Sequence, residues 1–395
     1  MKLLFCGDLV LKDTSNYEIS DSVKSYFNTF DYRIVNFEGP IKDPSTKETK
    51  LIKAGPHVCN SEITLELIKT LGINIAALSN NHIMDYGESA LSYTLKQLMN
   101  NQVLSLGAGL LENQDIKKFY EPLIIQNQNE KIALFNLCQA EFGVAKNDSV
   151  KAGYTWINHP LVNPLIKKYK EGGYKVIIFA HAGVEDEEFV LPEWRQRYHE
   201  FIELGATYVI ATHPHIFQGI ENYKEGIIVY SLGNFLFDGF TPNSNWCRGL
   251  IAAIDTENLE AFTVRVLSFE NNKLEFCETR ETEALLNNRN SYVQNDQVVE
   301  ELANKLAQNT FERYYKSYYE NLVPHTFKQL LKFKIKKILG KNPMLLDQTM
   351  LLHNLQIESH RYCVERYLYN INTFCNKLNF EVNNESQENN NKKNN

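Results

Sequence analysis

Five times in the first 215 residues a short apolar run ends in a side chain able to hold a metal ion. Lys2–Cys6 leads into Gly7-Asp8, Tyr32–Val35 into Asn36-Phe37-Glu38, and Asn74–Leu78 into Ser79-Asn80-Asn81-His82. Val176–Ala180 leads into His181, and Tyr208–Ala211 into Thr212-His213-Pro214-His215. Runs of this length read as buried strands. Between them Ser61–Leu71, Gly87–Asn100, Leu161–Lys170 and Leu191–Leu204 carry helical spacing, with Ser61 placed as a cap for the first. Alternating strands and helices make an α/β sheet, and such sheets bind ligands beyond the carboxyl ends of their strands. Five strand ends can therefore deliver these side chains to one edge of one core.

The residue types suit a divalent cation. Asp8 and Glu38 supply negative charge, and a carboxylate between two dications lowers their repulsion. The Asn81 amide oxygen is a neutral hard ligand. Neutral imidazole is a common transition-metal ligand, and the spacing of His213 and His215 brings both rings to one side if the backbone between them is extended. Glu185 is placed to orient His181 from behind. His82 diverges from its neighbour Asn81 and faces substrate, with Asp85 placed to fix its tautomer. Taken singly, each residue has a plain structural reading: a turn or helix cap for Asp8, a solvated strand end for Glu38, an Asx turn for Asn81. The ordered series is what carries the chemistry.

That series resembles the calcineurin-like metallophosphatase superfamily, and more closely the CapA family of bacterial capsule and poly-γ-glutamate synthesis proteins. The resemblance covers residues 1 to about 240. It rests on Gly7-Asp8, Asn36-Phe37-Glu38-Gly39-Pro40, Lys53-Ala54-Gly55-Pro56-His57, Asn80-Asn81-His82, His181-Ala182-Gly183, His213-Pro214-His215 and Ser231-Leu232-Gly233-Asn234-Phe235. It implies a four-layer αββα sandwich. The metal ligands it implies are Asp8, Glu38, Asn81, His181, His213 and His215, with two divalent ions (Mn, Fe or Zn) and with His82 as the substrate-facing acid supported by Asp85. Two positions depart from many superfamily members: Val10 stands where a histidine is usual, and Glu38 where an aspartate bridges. CapA-like proteins generally share both. His57 is the one nearby imidazole that could make up the missing ligand.

Function follows as an expectation: a metal-dependent, phosphoesterase-like hydrolase in capsule, exopolysaccharide or poly-γ-glutamate synthesis, acting on an anionic small molecule or polymer. The alternative is a non-hydrolytic accessory that binds an anionic polymer precursor during surface polymer assembly. The formal net charge of −7 and pI near 5.9 argue against nucleic acid as a partner. Seven scattered cysteines with no CxxC spacing argue against a thiolate zinc site and a disulfide framework. No leader is legible before the first strand and no apolar run is long enough to cross a membrane, so a cytoplasmic protein is expected.

Beyond the meander read at Gly249–Asp255, Ala261–Phe269 and Lys273–Glu278, the chain changes character. Residues 1–282 are expected to form the CapA-like domain, 283–380 an α-helical region, and 381–395 a disordered polar tail. Within the helical region His325–Lys341 mixes Lys with Phe, Leu and Ile. That composition suits either a packed helix with a solvated lysine face or a peripheral contact with an anionic membrane. Trp156, Trp194 and Trp246 are candidates for stacking on a sugar ring, against ordinary packing.

Overall fold

Two sheets lie face to face because their strands alternate apolar side chains toward one another. The computed structural model describes residues 1–12, 17–44, 50–111, 115–238, 244–277, 279–320, 326–340 and 348–371. The larger sheet runs in the order Glu18–Ile19, Lys273–Phe276, Asn258–Glu270, Arg248–Asp255, Lys2–Val10, Tyr32–Phe37, Ile75–Ala77, Leu104–Leu106, and Asn234–Phe237 also pairs with Lys2–Val10. The second runs Ile220–Tyr223, Gly226–Val229, Ala206–Thr212, Lys175–His181, Lys131–Cys138, Leu123–Gln126. Leu3, Phe5 and Ile34 of the first meet Leu134, Ile177, Phe179 and Ile210 of the second in one buried cluster. The alternate residues Leu4, Cys6 and Val35 face the other way, onto Val23, Phe27, Leu67, Leu71, Leu91 and Leu98 of three helices. On the far side of the second sheet, helices Val162–Glu171 and Pro192–Glu203 pack on its central strands. The result is a four-layer αββα sandwich, and the parallel strands at the middle of both sheets aim their carboxyl ends at one edge.

The first strand does not stop before Asp8. It continues to Val10, and the register shifts on both sides of Asp8. Leu3 and Phe5 face the inter-sheet core, yet Cys6 and Leu9, three residues apart, share the helix-facing core. A bulge at Gly7-Asp8 has reversed the alternation and aims Asp8 at the inter-sheet side. Gly7 is required there, since a Cβ would stand 1.9 Å from the Gly233 carbonyl oxygen. Ser61 is not a helix cap: its hydroxyl donates to the Leu11 carbonyl, and the helix Ile63–Leu71 starts after Glu62 without a side-chain cap.

Contacts divide the chain into two units, Met1–Val299 and Glu300–Asn395. The helix Thr279–Ser291 belongs to the first: Asn290 accepts from the Ile220 amide at 2.8 Å, and the buried Arg289 pairs with Glu188. The second unit is helical, with a small core of Phe311, Tyr315 and Val364 against which Tyr319 and Tyr367 pack. The 381–395 tail lies outside the described residues.

Candidate metal centre

Alternation along the strands decides what reaches the edge. Ile34, Asn36 and Glu38 share one face of their strand's line, as do Ile177, Phe179 and His181, so the carboxylate and the imidazole continue the inter-sheet core outward. His213 follows the last residue of Ala206–Thr212, and Asn81 sits in the turn beyond Ile75–Ala77. All six sequence-derived ligand candidates are buried, at most 4% exposed.

Their donor atoms converge in two groups, with Glu38 close to His181 of one and His215 of the other. In one, Nε2 of His181 lies 3.0 Å from Oδ1 of Asn81 and 3.1 Å from Nδ1 of His213. In the other, Asp8 Oδ2 lies 3.5 Å from Nδ1 of His215, and His215 Nε2 lies 4.0 Å from Oε1 of Glu38. Atoms of Asp8, Glu38 and His181 all fall within 4.8 Å of one another. Ligands about 2.1 Å from one cation, at angles between a right angle and a tetrahedral one, stand about 3.0–3.4 Å apart. The His181, Asn81 and His213 atoms match that spacing.

Glu38 tests whether a cation fits. Its side chain is 0% exposed, and neither carboxylate oxygen has a hydrogen-bond partner among the described residues. Buried polar groups are ordinarily satisfied. Burial, then the charge of Asp8, push the Glu38 carboxyl well above its usual range. Burial would lower His215, but Glu38 and Asp8 outweigh it and lift the imidazole to about 10. His181 is held well below its ordinary value by burial and by its histidine neighbours, so it is neutral and able to coordinate. Paired buried carboxylates, an amide oxygen and imidazoles, with one carboxylate lacking a hydrogen-bond partner among the described residues, form a donor set suited to a divalent cation.

Surrounding groups orient the candidate ligands. His181 Nδ1 lies 2.9 Å from the Thr212 hydroxyl, which donates on to Ala180 O, leaving Nε2 for a metal. His215 Nδ1 lies 3.0 Å from Asn234 Oδ1, and Asn234 is itself anchored to Trp246 O. The indole of Trp246 lies against His215, tilted by 33° with centroids 4.4 Å apart, and its Nε1 donates to Asp186. Asn36 donates to Asp8 at 2.7 Å.

The His213-Pro214-His215 segment is not extended. His213 and His215 have φ of 102° and 61°, and the rings stand 6.2 Å apart. Such backbone costs on the order of 1–3 kcal/mol per residue and persists where surroundings impose it. Here the Asp186 amide donates to Pro214 O, the His213 amide donates to Asp8, and Pro214 packs where a Gly183 Cβ would be.

His82 stands beside the ligands. Its Nδ1 donates to Asp85 at 2.7 Å, and its Nε2 lies 3.8 Å from Glu38. Lys53 pairs with Asp85 at 2.5 Å and lies 3.2 Å from His82. Burial would raise Asp85, but His82 and Lys53 hold it low; burial and the Lys53 charge hold His82 low. His57 is elsewhere, with Nε2 on Leu51 O and its ring against Tyr86. Glu185 is not hydrogen-bonded to His181, whose Nδ1 meets Thr212 and Asn36 instead; it raises the Glu38 carboxyl by its charge.

Three residues of the candidate site escaped the sequence reading: Lys53 in its contact with Asp85, Gln139 and Glu141. Glu141 accepts from the Asn81 amide nitrogen at 3.2 Å, which turns the Asn81 oxygen toward the centre. Gln139 donates to Glu141 and stands 3.0 Å from His213 Nε2. Burial lifts the Glu141 carboxyl to about 7. Both follow the strand Lys131–Cys138, so the strand-end rule pointed to them.

Similarity to known proteins supplies the family. Over residues 2–239 the chain matches the family described as bacterial capsule synthesis protein PGA_cap. It is 29% identical over 222 residues to the capsule biosynthesis protein CapA of Bacillus anthracis, covering 55% of this chain and 53% of that one. To the PGA biosynthesis protein CapA of Bacillus subtilis (strain 168) it is 25% identical over 242 residues, covering 59% and 62%. The chain thus spans less than two thirds of either relative. Among solved structures, the sulfate thiohydrolase SoxB of Thermus thermophilus aligns with a TM-score of 0.37 at 9% identity, over 74% of this chain and 60% of that one. TT1561, also of Thermus thermophilus, aligns with a TM-score of 0.34 at 9% identity, over 70% and 98%. Scores that low bear on neither activity nor substrate. Through residues 2–239, this chain belongs to the PGA_cap family of bacterial capsule synthesis proteins.

Proposed function

We propose that the chain is a hydrolase dependent on two divalent cations, phosphoesterase-like, acting on an anionic substrate in capsule or poly-γ-glutamate synthesis. The observation that carries this reading is the fully buried Glu38 carboxylate, without a hydrogen-bond partner among the described residues and close to His181 of one converging donor group and His215 of the other. Asp8, Glu38 and His215 would hold one cation; Glu38, Asn81, His181 and His213 would hold the other. The donor types suit Mn, Fe or Zn. When bound, such cations polarise an ester and lower the pKa of water. The chain's own residues supply the rest. His82, whose Nδ1 donates to Asp85, presents an unprotonated Nε2 to the site, where it would take up a proton during the reaction and pass it to a leaving group. Lys53 keeps Asp85 ionised and so keeps that tautomer.

The test is metal analysis of protein purified without chelators, together with turnover of p-nitrophenyl phosphate and its bis ester. Asp8→Asn and His213→Ala are expected to lose both metal and turnover. Full metal content and full activity in these variants would sink the reading. One observation favours a second reading, a non-hydrolytic accessory that binds an anionic polymer precursor. Val10, where many superfamily members place a histidine, is wholly buried and apolar, so one cation has a ligand fewer. Protein that fills with Mn, Zn, Fe or Mg yet hydrolyses neither ester would favour it.

A further inference from the structure

The helix Phe327–Ile338 is specified by its own sequence and yet none of its twelve residues is buried. Thr326 caps it: its hydroxyl accepts from the Gln329 amide at 3.2 Å, and the Gln329 side chain accepts from the Thr326 amide at 3.1 Å. Lys336 and Lys337 complement the helix dipole in its last turn, and Gly340 takes the left-handed conformation just beyond it. A helix this short is marginal in water without a partner for its apolar face. That face is well defined. At 100° per residue Phe327, Leu330, Leu331, Ile335 and Ile338 fall on one side, and they are 40–83% exposed.

The charge is one-sided. From residue 321 to 346 the chain contains six lysines and no acidic residue, in a protein of net charge −7. Lys332 and Lys336 lie on the opposite face, Lys328 and Lys337 at the margins, and Lys334, which falls within the apolar arc, has a stem long enough to lift its charge clear of an apolar layer. Twelve residues span about 18 Å, well short of the roughly 30 Å of a bilayer core. No helix among the described residues is long and apolar enough to cross a membrane. Such a helix lies in the plane of an interface rather than through it.

We propose that Phe327–Ile338 docks on an anionic phospholipid surface, with Phe327, Leu331 and Ile338 inserted among the acyl chains and the lysines on lipid phosphates. This is independent of the chemistry at the metal centre. The test is co-sedimentation of the full chain with vesicles of phosphatidylcholine alone or with one quarter phosphatidylglycerol. Binding is expected only to the anionic vesicles and should weaken between 0.1 and 0.5 M salt, as the Debye length falls from about 10 Å toward 4 Å. Each lysine near the surface is worth about fivefold in partitioning, so Lys328→Gln with Lys332→Gln should weaken binding roughly twentyfold. Leu331→Ser with Ile338→Ser should weaken it at least about tenfold. Equal sedimentation with both vesicle types, or none with either, overturns the proposal. So does loss of binding in the lysine variant with none in the apolar variant, which would mark a site for soluble polyanions or an acidic protein.

Discussion

Glu38→Gln separates a structural carboxylate from a cation ligand, because the two roles give stability changes of opposite sign. A buried carboxylate without a hydrogen-bond partner carries an effective penalty of several kcal/mol, whether it stays charged or must be protonated. The His215 imidazole, 4.0 Å away and held protonated by its acidic neighbours, offsets part of it. A net penalty of about 1–3 kcal/mol remains. Glutamine removes it at nearly the same volume. In chelator the variant should therefore melt above the wild type by roughly 2–6 °C, at about 2 °C per kcal/mol for a unit of this size. Saturating Mn or Zn should reverse the order. Ligand at a thousand times its Kd adds about 4 kcal/mol to the wild type, or roughly 8 °C, and the variant should gain only a fraction of that. Thermal melts of both proteins in EDTA and across a metal titration give all four numbers. If Glu38→Gln melts below the wild type in EDTA and both proteins rise equally with metal, Glu38 is an ordinary structural carboxylate and the reasoning fails.

Other perturbations probe the supporting groups. His82→Asn should lower kcat about a hundredfold with metal content unchanged; parallel loss of metal would make His82 a ligand instead. Glu141→Ala releases the Asn81 amide and should weaken cation affinity by about 10–100-fold in calorimetry; unchanged affinity would show that Asn81 is oriented without it. Far from the centre, burial works to raise the Glu221 carboxyl, but His199, Tyr230 and Arg195 hold it down to about 2 from 4.5. A depressed carboxyl contributes its stability above the unfolded value and loses it as pH falls from about 4.5 to about 2, here roughly 2 kcal/mol after allowing for partial exposure. Urea melts of Glu221→Gln should show a shallower loss of stability between pH 5 and 3 than the wild type; parallel curves would count against the network.

The strands and helices were legible because their periodicities differ and because turns interrupt them cleanly. Helix Gly87–Asn100 has the bounds its sequence pattern implies, and Lys131–Cys138, Lys175–His181 and Ala206–Thr212 each extend their apolar runs by one to three residues. What failed depended on distant partners. Nothing in Gly7-Asp8 announces a bulge, since it forms against the Gly233 carbonyl more than two hundred residues later. The left-handed His213 and His215 follow from contacts with Asp8 and Asp186, whereas spacing alone suggests an extended pair. Gln139 and Glu141 follow a strand end as the other site residues do, and their burial against Asn81 and His213 is what assigns them a task.

The geometry of the centre is decided one layer below it. Phe5 and Phe179 come from different sheets and meet edge to face with centroids 5.4 Å apart. Three residues beyond Phe5 lies Asp8, and two beyond Phe179 lies His181, with their polar atoms 3.7 Å apart. An odd step on one strand and an even step on the other could not both reach the same side of regular strands, because alternation would send Asp8 to the helices. The bulge at Gly7-Asp8 supplies the missing half-turn. The aromatic pair therefore sets the distance between sheets, the bulge sets the direction of the carboxylate, and only together do they bring an aspartate from one sheet within reach of a histidine from the other.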